Sequence, residues 1–143
     1  MGESFEITIK TNPFSGEELA NIPYLDKTIE DYCSGKFFLT KFGFEGRKLH
    51  EMAQEGDADA LRIFEEYGTH LGNAIKLIIN VLSPEAIFLG GSVSKSFSFF
   101  ESSLKERIDS FPFKRVTNNL IITPSKTFNI SILGSAALIK SEK

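Results

Sequence analysis

The stretch Leu71–Val93, LGNAIKLIINVLSPEAIFLGGSV, decides the fold. Its first half continues a stripe that starts upstream. Leu61, Phe64, Gly68, Leu71, Ile75, Ile78 and Leu82 recur at alternating spacings of three and four, which places them on one face of a long α-helix. Asp57 stands where an N-cap is wanted, so the helix is predicted from there to Leu82. Gly68 and Gly72 lie one turn apart on this helix and carry no side chain, so another backbone can come close at that level. Pro84 stops the helix. Ala86-Ile87-Phe88-Leu89 is then a short unbroken apolar run closed by Gly90-Gly91, the profile of a buried strand.

Outward from this unit the same reading continues. Ser94 or Ser96 can cap a helix carrying Phe97, Phe100, Leu104 and Ile108, with Pro112 just past its end. Leu120-Ile121-Ile122 reads as a second buried strand, and Ser4–Lys10 as a strand that alternates apolar and polar residues. Asn12, Pro13, Ser15 and Gly16 supply a turn after it. Short helices are expected over Lys27–Ser34, Phe37–Phe42 and Gly46–Gln54, with glycines at the breaks. The small and apolar residues of Ile130–Ile139 suggest a tightly packed closing helix. Helix, strand, Gly-Gly turn, helix and strand make an α/β order, in which ligands sit at the C-terminal ends of strands, here near Gly90.

Composition narrows the function classes. A chain of 143 residues, 41% hydrophobic with 14 Phe, can fill one core, so residues 1–143 are expected to form a single domain. A formal net charge of −3 with scattered Lys and Arg offers no basic field for a phosphate backbone, so no nucleic-acid partner is expected. No apolar run approaches the roughly 20 residues that span a bilayer, and no membrane association is expected. Met1-Gly2 lacks the Ser or Thr that a myristoylation start wants, since Glu6 stands there. One cysteine, Cys33, cannot make an internal disulfide, and with only His50 and His70 beside it a zinc site would lack ligands; a reducing cytoplasm fits best.

Leu89-Gly90-Gly91-Ser92 is the sharpest functional signal. Glycines after a buried strand let the backbone pass close to a flat ligand and leave amides at a helix start, although a tight strand-to-helix turn would use them equally well. Its neighbours add to it. The long helix with Asn80, then Pro84-Glu85, the apolar strand and Gly90-Gly91, resembles the adenosine motif of the ROK family of sugar kinases and repressors. Gly56-Asp57-Ala58-Asp59-Ala60 resembles that family's approach to the helix, and Ile130–Leu138 its closing segment.

The resemblance implies an actin-like, ribonuclease H-like α/β fold, of which this chain would be the C-terminal half, the second lobe of a sugar kinase. It implies adenine-nucleotide contacts at Gly90, Gly91 and Ser92, with ATP and Mg as cofactors. Glu30-Asp31-Tyr32-Cys33-Ser34-Gly35 is similar to a family segment in which a glutamate binds a hexose-type sugar, a role that falls on Glu30. Asn12–Pro23 resembles a second sugar-contacting segment with one residue added, so that Glu17 or Glu18 stands for its acid and Asn21 for its histidine. Tyr24–Ile29 replaces the family's cysteine-rich loop, and no structural zinc is expected. These residues hold neither the family's catalytic aspartate nor its Gly-Thr-Gly phosphate loop, so no catalytic residue is assigned and the isolated chain is expected to be inactive. The alternatives are a non-catalytic sugar-sensing regulator and a structural lobe for dimerisation.

His50 and His70, each on a helix without an evident acid–base partner, read as surface or packing residues. Lys95, Lys105, Lys114 and Arg115 read as solvated. The opening strand is expected to present an unpaired edge, and the chain to form a homodimer.

Overall fold

The computed structural model describes residues 4–8, 23–82, 86–90, 92–112, 114–124 and 137–142. Strand β1 (Ser4–Thr8) is followed by a small hairpin of β2 (Pro23–Tyr24) and β3 (Lys27–Thr28), helix α1 (Ile29–Cys33), a π-helical turn (Phe38–Phe42), and helices α2 (Gly46–Gln54) and α3 (Ala58–Leu82). Strand β4 (Ala86–Leu89), a 3-10 turn (Ser92–Ser96), helices α4 (Phe97–Asp109) and α5 (Lys114–Thr117), and strands β5 (Ile121–Pro124) and β6 (Ala137–Glu142) complete the order. It is a mixed helix and sheet structure of the expected α/β kind.

The junction between α2 and α3 shows how local sequence sets these boundaries. Gly56 adopts φ 85°, the left-handed conformation that ends a helix at little cost to glycine. Its N–H donates to the Ala53 carbonyl and that of Asp57 to the Met52 carbonyl, the paired bonds of a Schellman cap. Asp57 then starts the next helix, its carboxylate accepting from the Ala60 N–H at 2.9 Å. Two adjacent residues thus close one helix and open another.

The sheet runs β1-β6-β4-β5. β4 and β5 are parallel, with Ala86 opposite Ile121 and Leu89 opposite Pro124. β6 lies antiparallel between β1 and β4, so that Leu138 faces Thr8 on one side and Phe88 on the other. Here the structure corrects the closing helix expected over Ile130–Ile139. Residues 137–139 belong to β6, and 130–136 lie outside the described residues. Small residues permit a helix, but two strands distant in sequence supply ladders on both sides of this segment, and tertiary pairing overrides the local preference.

Three further expectations moved. The buried strand expected over Leu120-Ile121-Ile122 runs over Ile121–Pro124 at the sheet's edge, where Ile121 is exposed. The helix expected from Lys27 begins at Ile29, because Lys27 and Thr28 pair with Tyr24 and Pro23 across a turn that holds Leu25 at φ 53°. The opening strand is described to Thr8, and residues 9 and 10 lie outside the described residues.

The largest contact between elements is α3 on α4. A Cβ added to Gly68 would fall 2.1 Å from Ser103 Oγ and 2.5 Å from the Phe100 carbonyl oxygen; one added to Gly72 would fall 2.7 Å from Arg107 Cβ. The two glycines therefore mark the line along which α4 lies against α3. Around it Phe64, Tyr67, Leu71, Ile75 and Ile79 of α3 join Phe100 and Leu104 of α4 and Ile87 and Leu89 of β4 in one buried cluster. Burying each such side chain contributes about 1.5–3 kcal/mol. Leu61, expected on the same stripe, is 37% exposed.

Candidate functional site

At the C-terminal end of β4 the chain reaches Gly90, which is buried, and then the 3-10 turn beginning at Ser92. Ser92 lines a cavity of about 360 Å³. Phe38, Phe64 and Val93 give it apolar walls; His50 and Ser96 bring polar atoms; Glu45, Arg47 and Lys95 add charge. The volume lies within the range of about 300–1,000 Å³ usual for small-molecule sites. The first turn of α2 and the 3-10 turn face each other across it, and Gly35, from the segment singled out with Glu30, forms part of the wall 3.9 Å from Val93 at its ideal Cβ position.

Glu30 itself is not among the cavity's lining residues. It sits in the first turn of α1, with its carboxylate 3.8 Å from Lys36 Nζ. Asp31, next to it, accepts from the Thr28 hydroxyl and backbone N–H at 2.8 and 3.2 Å, which fixes the helix start and holds the Asp31 carboxyl below its ordinary range. Of that segment Gly35 thus lines the cavity beside Ser92, while Glu30 stands outside it. Gly91, Glu17, Glu18 and Asn21 lie outside the described residues.

Ser96 occupies the N-cap position of α4, as one of the two predicted options, yet its side chain makes no capping bond. Its Oγ lies 2.8 Å from His50 Nδ1 instead. His50 packs edge-on against Phe99 with ring centroids 5.4 Å apart. His50 and Arg47 were not legible as site residues, because α2 is brought to this cavity only by packing.

A second polar assembly ties the β2–β3 hairpin to the helices. Arg107 Nε donates to Asn73 Oδ1 at 3.0 Å, Asn73 Nδ2 donates to the Tyr24 hydroxyl at 2.7 Å, and that hydroxyl lies 2.8 Å from His70 Nδ1. His70 Nε2 is 3.3 Å from Glu66 Oε2, to which Lys41 Nζ also donates at 2.5 Å. With Nε2 as donor to the carboxylate, Nδ1 accepts from Tyr24, and every bond runs one way from guanidinium to carboxylate. Burial lowers the His70 pKa and outweighs the opposing pull of Glu66. Burial would raise the Glu66 carboxyl, but the bonds from Lys41 and His70 prevail and lower it. Burial also raises the Tyr24 phenol. The expected lack of an acid–base partner for His70 is therefore corrected: Glu66, one turn earlier, is such a partner, and the i,i+4 spacing was the available signal. Among the described residues, no three His, Cys, Asp or Glu side chains converge to hold a metal ion.

The helix pair, the mixed sheet and the cavity beside the β4 turn define an α/β protein with a cavity near the C-terminal end of a strand. The ROK family profile matches residues 25–142, and the chain belongs to the ROK family. It is 28% identical over 94 residues to the DNA-binding transcriptional dual regulator NagC of Escherichia coli, covering 66% of this chain and 23% of that protein. It is 32% identical over 91 residues to a glucokinase of Halalkalibacterium halodurans, covering 64% of this chain and 26% of that one. The structure of a ROK family transcriptional regulator, a homologue of the E. coli MLC protein, superposes with a TM-score of 0.62 at 18% identity over 90% of this chain and 36% of that chain. The chain thus spans about a quarter of the length of these curated relatives. Since one of them is a DNA-binding regulator, family membership gives no support to the expectation that nucleic acid is not a partner. No helix among the described residues is long and apolar enough to cross a membrane.

Proposed function

We propose that residues 1–143 form a single domain, the second lobe of an actin-like sugar kinase fold, and serve as the nucleotide-facing and sugar-facing part of a ROK-type ATP-dependent hexose kinase. The observation that carries this is the cavity beside Ser92, which lies where the Gly90-Gly91-Ser92 turn was expected to meet adenosine. Apolar walls suit a flat base, and Arg47 and Lys95 suit its anionic end. ATP supplies the transferable phosphoryl group when bound. No described cluster of acids fits Mg, so no residue is assigned to it. Glu30 is proposed to accept hydrogen bonds from sugar hydroxyls, together with Glu17 or Glu18 and Asn21.

We assign no residue of this stretch as the base for the attacking hydroxyl, and weak nucleotide binding without turnover is what this reading expects of it. Titration with ATP should perturb the amides of Gly46, Ser92 and Val93 with a dissociation constant well above micromolar. A coupled assay with hexose, ATP and magnesium should show no turnover. Sub-micromolar affinity, or no amide perturbation at saturating ATP, would sink this reading. The likeness to NagC favours a second one, a sugar-sensing regulator of the same family. In that case hexose should shift the spectrum in a manner abolished by Glu30→Gln, while ATP leaves Ser92 untouched.

The proposal extends to a cytoplasmic homodimer. β1 pairs with β6 on one side and, among the described residues, has no strand on the other, and an open edge templates a further strand. Light scattering should report a dimer; a monomeric mass at every concentration would contradict it.

A further inference from the structure

The Ser96 side chain stands at a helix start where a serine oxygen ordinarily accepts from a backbone N–H and stabilises the helix. Here it does not; it engages His50 Nδ1 at 2.8 Å instead, although Ser96 is almost wholly buried. The ring is thereby held at one nitrogen by Ser96 and on its edge by Phe99, which in turn stacks on Phe64 with centroids 5.6 Å apart. Among the described residues, Nε2 of His50 has no protein partner, and the residue lines the cavity. An imidazole fixed this way presents one uncommitted nitrogen beside apolar walls. Because a serine hydroxyl both donates and accepts, Nε2 can serve as acceptor or donor according to what it meets.

The rim differs from the interior. Arg47 and Lys95 have no carboxylate partner among the described residues, whereas Lys36, Lys41, Arg62 and Lys105 each do. Glu45 shares the cavity lining, which leaves these three groups with a single net positive charge. Both cations are exposed, so they suit the charged end of a ligand whose flat part lies deeper.

We infer that His50 reads the base: its Nε2 hydrogen-bonds the heteroaromatic edge of a purine nucleoside monophosphate while Arg47 and Lys95 hold the phosphate. This rests on the proposed reading of the cavity as a nucleotide site and adds the residue that separates nucleotides from sugar phosphates and simple anions. A sugar phosphate meets the same rim but leaves the imidazole without its partner.

The test is a set of NMR titrations of the 143-residue chain with AMP, ribose 5-phosphate and inorganic phosphate at matched ionic strength, following the amides of Ser92 and Val93 and the His50 ring nitrogens. AMP should move all of them. Ribose 5-phosphate should bind about tenfold more weakly and leave the ring nitrogens unmoved. His50→Leu should bring AMP affinity toward that of ribose 5-phosphate without altering the latter, His50→Gln should recover part of the loss, and Arg47→Gln should weaken both ligands alike. AMP affinity unchanged in both His50 variants would overturn the inference while leaving the nucleotide site standing. No response to AMP at Ser92 and Val93 would overturn both together. Amide dispersion reports whether each variant is folded, and His50→Gln carries the test if His50→Leu is not.

Discussion

Tyr24 shows how much rests on one hydroxyl. It accepts from Asn73 and lies against His70 Nδ1, so Tyr24→Phe leaves an amide and an imidazole nitrogen half-buried without their partner. The loss should be about 1–3 kcal/mol, read from urea unfolding. The same assembly makes stability depend on pH. His70 has its pKa lowered in the folded state, so the unfolded chain takes up the proton more readily. The contribution is present above the ordinary value of 6.5 and is lost as pH falls from there through the folded-state pKa. The urea midpoint should drop across that window in the native chain and less in His70→Gln; parallel profiles would refute the assignment. Cys33 makes a third case. Burial raises its thiol pKa far above the usual range, and its Sγ lies 3.5 Å from the His70 carbonyl oxygen. A thiol reagent should leave it unmodified in the folded protein and react once urea unfolds the chain.

Between elements, the contact of α3 with α4 is the most exacting. Gly68→Ala puts a methyl group against the Phe100 carbonyl and Ser103, and α4 must move to accept it. Overpacking costs about 1–3 kcal/mol or more, and the better helix propensity of alanine returns about 1. A net loss of about 2 kcal/mol is expected for Gly68→Ala, and a smaller one for Gly72→Ala, where the nearest backbone atom is 3.1 Å away. Urea denaturation of the two variants checks the order. This interface was legible in the sequence, because two glycines on an otherwise strongly apolar helix have few other reasons to be there. So were α2 at its full extent, the cap at Asp57 and strand β4, each set by residues within a turn or two. The hairpin at Tyr24 and strand β6 were not, since their partners lie far away in the chain. The candidate site divides the same way. Ser92 follows from the strand before it, but His50 reaches the cavity through the packing of α2 against α3, and Ser96 abandons its cap for a residue 46 positions earlier.

At the scale of the whole molecule the sheet joins distant parts. β6 holds both β1 and β4, with Ser4 opposite Glu142 and Ala86 opposite Lys140. The helix pair needs the chain to close only over the span from Gly68 to Phe100, whereas β1 and β6 enclose nearly all of it. A loop about four times longer costs about 1.2 kcal/mol more to close. Placing β6 between its neighbours therefore gives the protein a kinetic order. The helices can assemble early on contacts close in sequence, and the strand pair at the margin completes the sheet afterwards. Hydrogen exchange should record this as slow amides along α3 and α4 and faster ones in β1, and pulse labelling during refolding should find the helices protected before Ser4–Thr8 is.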